Sequence, residues 1–68
     1  MRNPERLNNF YNEVSRLHKT YLPNWRAGQL WMNFLWWLQN NKKIDPFFPE
    51  EDKMIELFKE FCSEEGER

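Results

Sequence analysis

His18 and Cys62 are the side chains whose types could serve as general base or nucleophile near neutral pH, and each occurs once in the chain. General acid–base work needs a partner within hydrogen-bond reach and a cleft around both. His18 falls on the inner stripe of a helical segment beside Leu17 and Tyr21, which reads as a half-buried structural histidine. Cys62 lies among Phe61, Glu60 and Glu64. Reactive thiols sit in electropositive, partly exposed surroundings, so this one reads as a small core residue. One histidine and one cysteine would need carboxylates to complete a zinc site. Glu50, Glu51 and Asp52 could hold a cation, but they open a helical segment, where negative charge complements the positive end of the helix dipole. Gly28 and Gly66 are the only glycines, so no glycine-rich phosphate loop exists. The expectation is a non-enzymatic protein with no catalytic residue, no metal site and no cofactor.

The elements that position these residues are helical. The spacing predicts three helices over about 4–21, 24–40 and 49–63, a small all-α three-helix bundle in one domain spanning residues 1–68. Asn3 suits an N-cap and Pro4 the first helical position. Leu7, Phe10, Tyr11, Val14, Leu17, His18 and Tyr21 follow in steps of three and four. Leu22-Pro23 ends that segment, Asn24 is placed to cap the second, and the short connection predicts that the first two helices are antiparallel neighbours. Gly28 inside the second segment costs about 1 kcal/mol against alanine, which suggests close approach by a backbone or a large ring. Asn40 and Asn41 suit a helix end. Ile44 to Pro49 reads as an extended connection. Met54, Ile55, Phe58, Phe61 and Cys62 stripe the third helix with Leu57 at the edge, and the charged tail from Glu64 is expected to fray.

The second segment is too apolar for an ordinary surface helix. On a helical wheel Ala27, Leu30, Trp31, Phe34 and Leu38 share one side. Arg26, Gln29, Asn33 and Asn40 form a narrow polar strip. Trp25, Met32 and Trp36 make a second apolar patch beside it, and Trp37 borders the strip on the other side. Three coverings compete for that patch. Phe47 and Phe48 could fold over it, which needs nothing beyond the chain. A second copy could bind there. So could a foreign protein, since Trp, Met and Arg are enriched at interface cores. The candidate partner-binding residues are Trp25, Arg26, Gln29, Met32, Trp36 and Trp37.

Composition narrows the classes. Twelve aromatics among 68 residues supply a dense core to a chain with no possible intrachain disulfide. Net charge is −1, so no overall field draws the chain to nucleic acid or membrane. Residues 1–43 carry seven Lys/Arg against two Asp/Glu, and residues 44–68 three against nine. The economical reading is that the acidic third packs on the basic remainder. The N-terminus lacks the apolar stretch of a signal peptide, and the run from Leu30 to Leu38 is far below the roughly 20 residues of a spanning helix. A cytoplasmic address is the expectation.

Two stretches carry a resemblance. Pro23 to Leu30 reads P-x-x-R-x-G-Q-L, and Asp45 to Asp52 reads D-P-F-F-x-E-x-D. Together they resemble short uncharacterised proteins of bacteria and their phages with R-x-G-Q-L and D-P-F-Y-x-E-D stretches. The resemblance covers about a third of the chain and implies a bacterial or phage origin and a small helical fold, without a mechanism. Within it, Arg26 is placed to latch onto Asp45, Glu50 or Asp52. The functional expectation is protein–protein interaction, with itself or a foreign partner, through the aromatic patch of the middle helix. The alternative is a nucleic-acid-associated regulator using Arg2, Arg6, Arg16 and Lys19 of the first helix; Glu5 and Glu13 interrupt that basic face.

Overall fold

Asn3 starts the first helix as its place before Pro4 predicts. Its Oδ1 accepts the Glu5 backbone N–H at 2.9 Å, and Pro4 already has helical angles of φ −65° and ψ −15°. The computed structural model describes residues 2–66. It contains helices α1 (Glu5–Tyr21), α2 (Ala27–Asn40) and α3 (Glu51–Gly66), and no strand among the described residues. The all-α three-helix bundle read from the periodicity is the architecture found. Among the described residues no helix is long and apolar enough to cross a membrane.

Pro23 ends α1 by forcing Leu22 out of the helical region, to φ −135° and ψ 51°. The Trp25 N–H then donates to the Leu22 carbonyl at 3.1 Å, closing a turn over Pro23 and Asn24. Asn24 is therefore a turn residue and not the expected cap. The extended residue before α2 is Arg26, whose N–H reaches Gln29 Oε1 at 3.4 Å. A guanidinium has no acceptor, so only the Gln29 half of a capping box exists. At the other end of α2 the asparagines do not take the left-handed position. Lys43 does, with φ 58°, and the Ile44 N–H thereby reaches the Leu38 carbonyl at 2.9 Å. α3 continues beyond its expected end to Gly66, so Glu64 and Glu65 are helical and not a frayed tail.

The core is aromatic. Phe34, at the middle of α2, meets Phe58 edge-on at 5.0 Å between ring centroids and Phe61 at 5.5 Å. Trp31 stacks on Phe58 at 6.0 Å, and Trp37 meets Phe61 at 5.5 Å. Each such pair contributes about 0.5–1.5 kcal/mol beyond its buried area. Trp25, before α2, also packs on Phe61, at 6.1 Å. The ten helical steps from Ala27 to Trp37, running alongside α3, would by themselves separate the Trp25 and Trp37 contacts by about 15 Å. Both converge on Phe61, so α2 lies across α3.

The helix closest to α1 is α3, not α2 as the short connection predicted. The pairs Arg2–Glu50 and Arg6–Glu51, both 2.7 Å, join the N-terminal ends of α1 and α3. Gly66 lies against Tyr21 at their C-terminal ends. The two helices are therefore parallel, and α2 with the connection after it returns the chain from the end of α1 to the start of α3. With Lys42 paired to Glu60, the basic part of the chain does engage the acidic third.

Gly28 departs from expectation. A Cβ built there meets nothing within 4 Å, and its φ is not positive. No intrachain approach accounts for it, and Gly28→Ala is sterically free. The substitution should raise unfolding stability by up to about 1 kcal/mol, read as a higher urea midpoint at unchanged m-value; a lower midpoint would mean that the open space above Gly28 is wrong.

Candidate functional site

α2 turns its polar strip and the Met32 and Trp36 part of its second apolar patch to solvent. The helix orientation follows from Phe34 and Leu38, which are anchored in the core. Two residues on from Phe34, Trp36 is rotated roughly 160° round the axis and is 61 % exposed. Met32, one turn before it on the same face, is 73 % exposed. Arg26 and Gln29 are also exposed and continue this face toward the helix start. Asn33 and Asn40 complete it, their side-chain amides donating to the carbonyls of Gln29 and Trp36 at 2.9 Å each. Four of the six expected contact residues thus share one accessible face.

The other two do not. Trp37 lies only about 60° from Phe34 on the wheel and is 3 % exposed. Its Nε1–H donates to Glu64 at 3.3 Å, and Lys42 Nζ sits 5.5 Å from its ring centroid. It is a core residue with a polar edge and is removed from the contact surface. Trp25 is half-buried because its ring is folded onto Phe61.

Phe47 and Phe48 leave the patch uncovered. They are 85 % and 74 % exposed and pack on each other edge-to-face at 5.1 Å. Asp45 holds this arrangement, its Oδ1 accepting the Phe47 N–H at 3.0 Å and its carbonyl the Phe48 N–H at 3.3 Å. Pro46 and Pro49 flank the turn. This outward aromatic pair was not foreseen; the signal for it was aspartate before proline, a turn-forming pair. The Arg26 latch is absent too. Among the described residues no ion pair joins Arg26 to an acidic side chain; Asp45 is bound to its own turn and Glu50 to Arg2. Arg26 precedes the helix and does not sit in its first turn, where a cation would oppose the helix dipole and call for a carboxylate partner.

The single histidine and cysteine are accounted for by structure. The carbonyl of Trp25 can only accept, so the 2.8 Å contact fixes the proton on His18 Nε2, and the ring pins α1 to the turn before α2. Among the described residues no group of His, Cys, Asp and Glu side chains could hold a metal ion. Cys62 is fully buried, and burial pushes its thiol up to about 11.

On α1 both arginines are held by carboxylates. Arg16 binds Glu13 through two bonds of 2.8 Å, which lowers the Glu13 pKa and raises that of Arg16. The Arg6 hydrogen bond likewise lowers the Glu51 pKa. A groove of about 630 Å³ between α1 and α3 has Phe10 and Ile55 among Arg6, Glu13, Glu56 and Lys59. Charges of both signs line it, with no side-chain nitrogen or oxygen left buried and unpaired among the described residues.

No family model, no curated protein and no solved structure matches the chain.

Two predictions follow from these placements. Trp36→Ala should change stability by no more than about 0.5 kcal/mol, whereas Trp37→Ala should cost about 3–5 kcal/mol; denaturant titration separates them, and equal costs would contradict the assigned helix orientation. Below the unfolded thiol pKa of about 9, Cys62 is neutral in both states. Above it the unfolded chain loses its proton first, so stability declines as pH rises from about 9 to about 11. In Cys62→Ala that alkaline component should vanish, and the native thiol should resist disulfide reagents at pH 8 until the protein unfolds.

Proposed function

We propose that this chain is a non-enzymatic interaction module that binds protein through the outer face of α2, with Met32 and Trp36 as anchors and Arg26 and Gln29 at their border. The observation that carries the reading is the exposure of Trp36 and Met32 one turn apart on a helix whose inner face already fills the core. Neither side chain contributes to the fold, and both are of types concentrated at interface cores. His18, bonded to a backbone carbonyl, and Cys62, shut inside the core, support a role without catalysis. The unpaired thiol fits a cytoplasmic address. The nucleic-acid alternative is less favoured, because Arg2, Arg6 and Arg16 are each engaged by a carboxylate, and a neutralised cation releases few phosphate counterions.

A photo-crosslinking aromatic residue in place of Trp36, with the exposed Lys19 position as control, tests the surface in the cells that produce the protein. Protein adducts are expected from position 36 and not from position 19. No adduct at 36, or equal labelling at both, would overturn the reading.

A further inference from the structure

The outer face of α2 differs from the rest of the surface in charge. Twenty-one of 68 residues are Asp, Glu, Lys or Arg, yet none lies between Ala27 and Asn41. The exposed positions in that stretch are Ala27, Gly28, Gln29, Met32, Asn33, Trp36 and the amides from Gln39 to Asn41. On α3, by contrast, the exposed positions other than Gly66 are all charged: Asp52, Lys53, Glu56, Lys59, Glu60 and Glu64. A packed core does not demand this difference, because the stripped positions point away from it.

We infer that the outer face of α2 binds a second copy of itself, forming a two-fold symmetric helix-to-helix dimer. This rests on the reading of that face as the contact surface, and it names the occupant. At a two-fold axis each residue near the axis meets its own copy, so any charge there meets its own sign. The part of a self-binding face nearest the axis must therefore be cleared of charge, which leaves Arg26 at the outer end of the face, while a face for a foreign partner gains specificity and encounter rate from complementary charges. The polar groups that remain are self-matching: a Gln or Asn amide is both donor and acceptor. Asn33 and Asn40 are already bonded to the backbone of their own helix, which reduces the cost of drying them. Gly28, one turn before Met32 with nothing within 4 Å of a Cβ position, leaves bare backbone where a second helix can approach.

One helix face offers less than the roughly 800 Å² per partner of a standard stable interface, so the dimer is weak. Sedimentation equilibrium over about 1 µM to 1 mM covers the range where such contacts dissociate. The native chain should move from 8.6 kDa toward twice that mass. Trp36→Ala should weaken dimerisation at least about tenfold, and so should Asn33→Glu, which sets like charges across the axis. Both positions are exposed, and helical circular dichroism verifies that both variants fold. A Phe47→Ser, Phe48→Ser variant should dimerise as the native chain does. A native chain that stays monomeric to 1 mM overturns the proposal, as does a dimer that persists in either α2 variant or dissolves in the Phe47/Phe48 variant. If the native chain is monomeric while position 36 crosslinks a different protein, the α2 contact surface stands and only its self-pairing fails.

Discussion

The structure depends on the packing of Phe34 against Phe58 and Phe61. A 68-residue chain with no disulfide and no metal cluster among its described residues must take its stability from a small core, and large rings give most buried area per residue. Once Phe34 is seated at 5.0 Å from Phe58 and 5.5 Å from Phe61, the rotation of α2 about its axis is set. Leu30, Trp37 and Leu38 go inward with it, and Met32 and Trp36 go outward. The same rings explain why α2 crosses α3 while α1 runs beside it. Bulky side chains at a helix contact hold the axes apart, whereas α1 presents Val14 and Leu17 and can lie close, with Arg2 and Arg6 reaching the acidic start of α3.

The ion pairs are secondary to this. Arg2–Glu50 and Arg16–Glu13 are largely exposed, and exposed pairs contribute little stability. Their consequence is electrostatic: each neutralises an arginine on or beside α1, and Arg2–Glu50, like Arg6–Glu51, joins the basic part of the chain to the acidic part. Lys42 is tied both to Glu60 and to the face of Trp37, closing the end of α2 over the core.

Helix number and most of the apolar stripes were legible because steps of three and four leave few alternatives, although Tyr11, Tyr21 and Ala27 of those stripes are exposed, and Asn3-Pro4 marked a start that the structure reproduces. Boundaries that depend on a turn were not. Asn24 looks like a cap by type, yet Pro23 makes it part of a turn, and only the backbone shows the N-terminal end of α2 moved to Ala27. Of the surface on α2, Met32 and Trp36 were legible from the wheel, because they lie far from Phe34. Trp37 was misassigned because it sits at the margin of the stripe. Its fate depends on where α3 crosses, and that is tertiary information: Phe61 and Glu64 reach it from another helix. Phe47 and Phe48 failed for a related reason. Composition shows that rings are available to cover a patch, but the Asp45 turn decides where they point.

An exposed indole in so small a domain could be read as material that a larger core would have absorbed. The geometry argues otherwise. Burying Trp36 would require rotating α2 by roughly half a turn, which would carry Phe34 and Leu38 into water and dismantle the cluster that holds the helices together. Its exposure is therefore a fixed consequence of the core. What the core does not dictate is the residue type at that position. Any polar side chain would serve the monomer as well and would avoid an apolar surface prone to association. The same holds for Met32 and for the absence of charge from Ala27 to Asn41. Met32, Trp36 and the uncharged positions around them are neutral or unfavourable for the folded monomer, and they are the ground on which we propose that this face is covered in the working state.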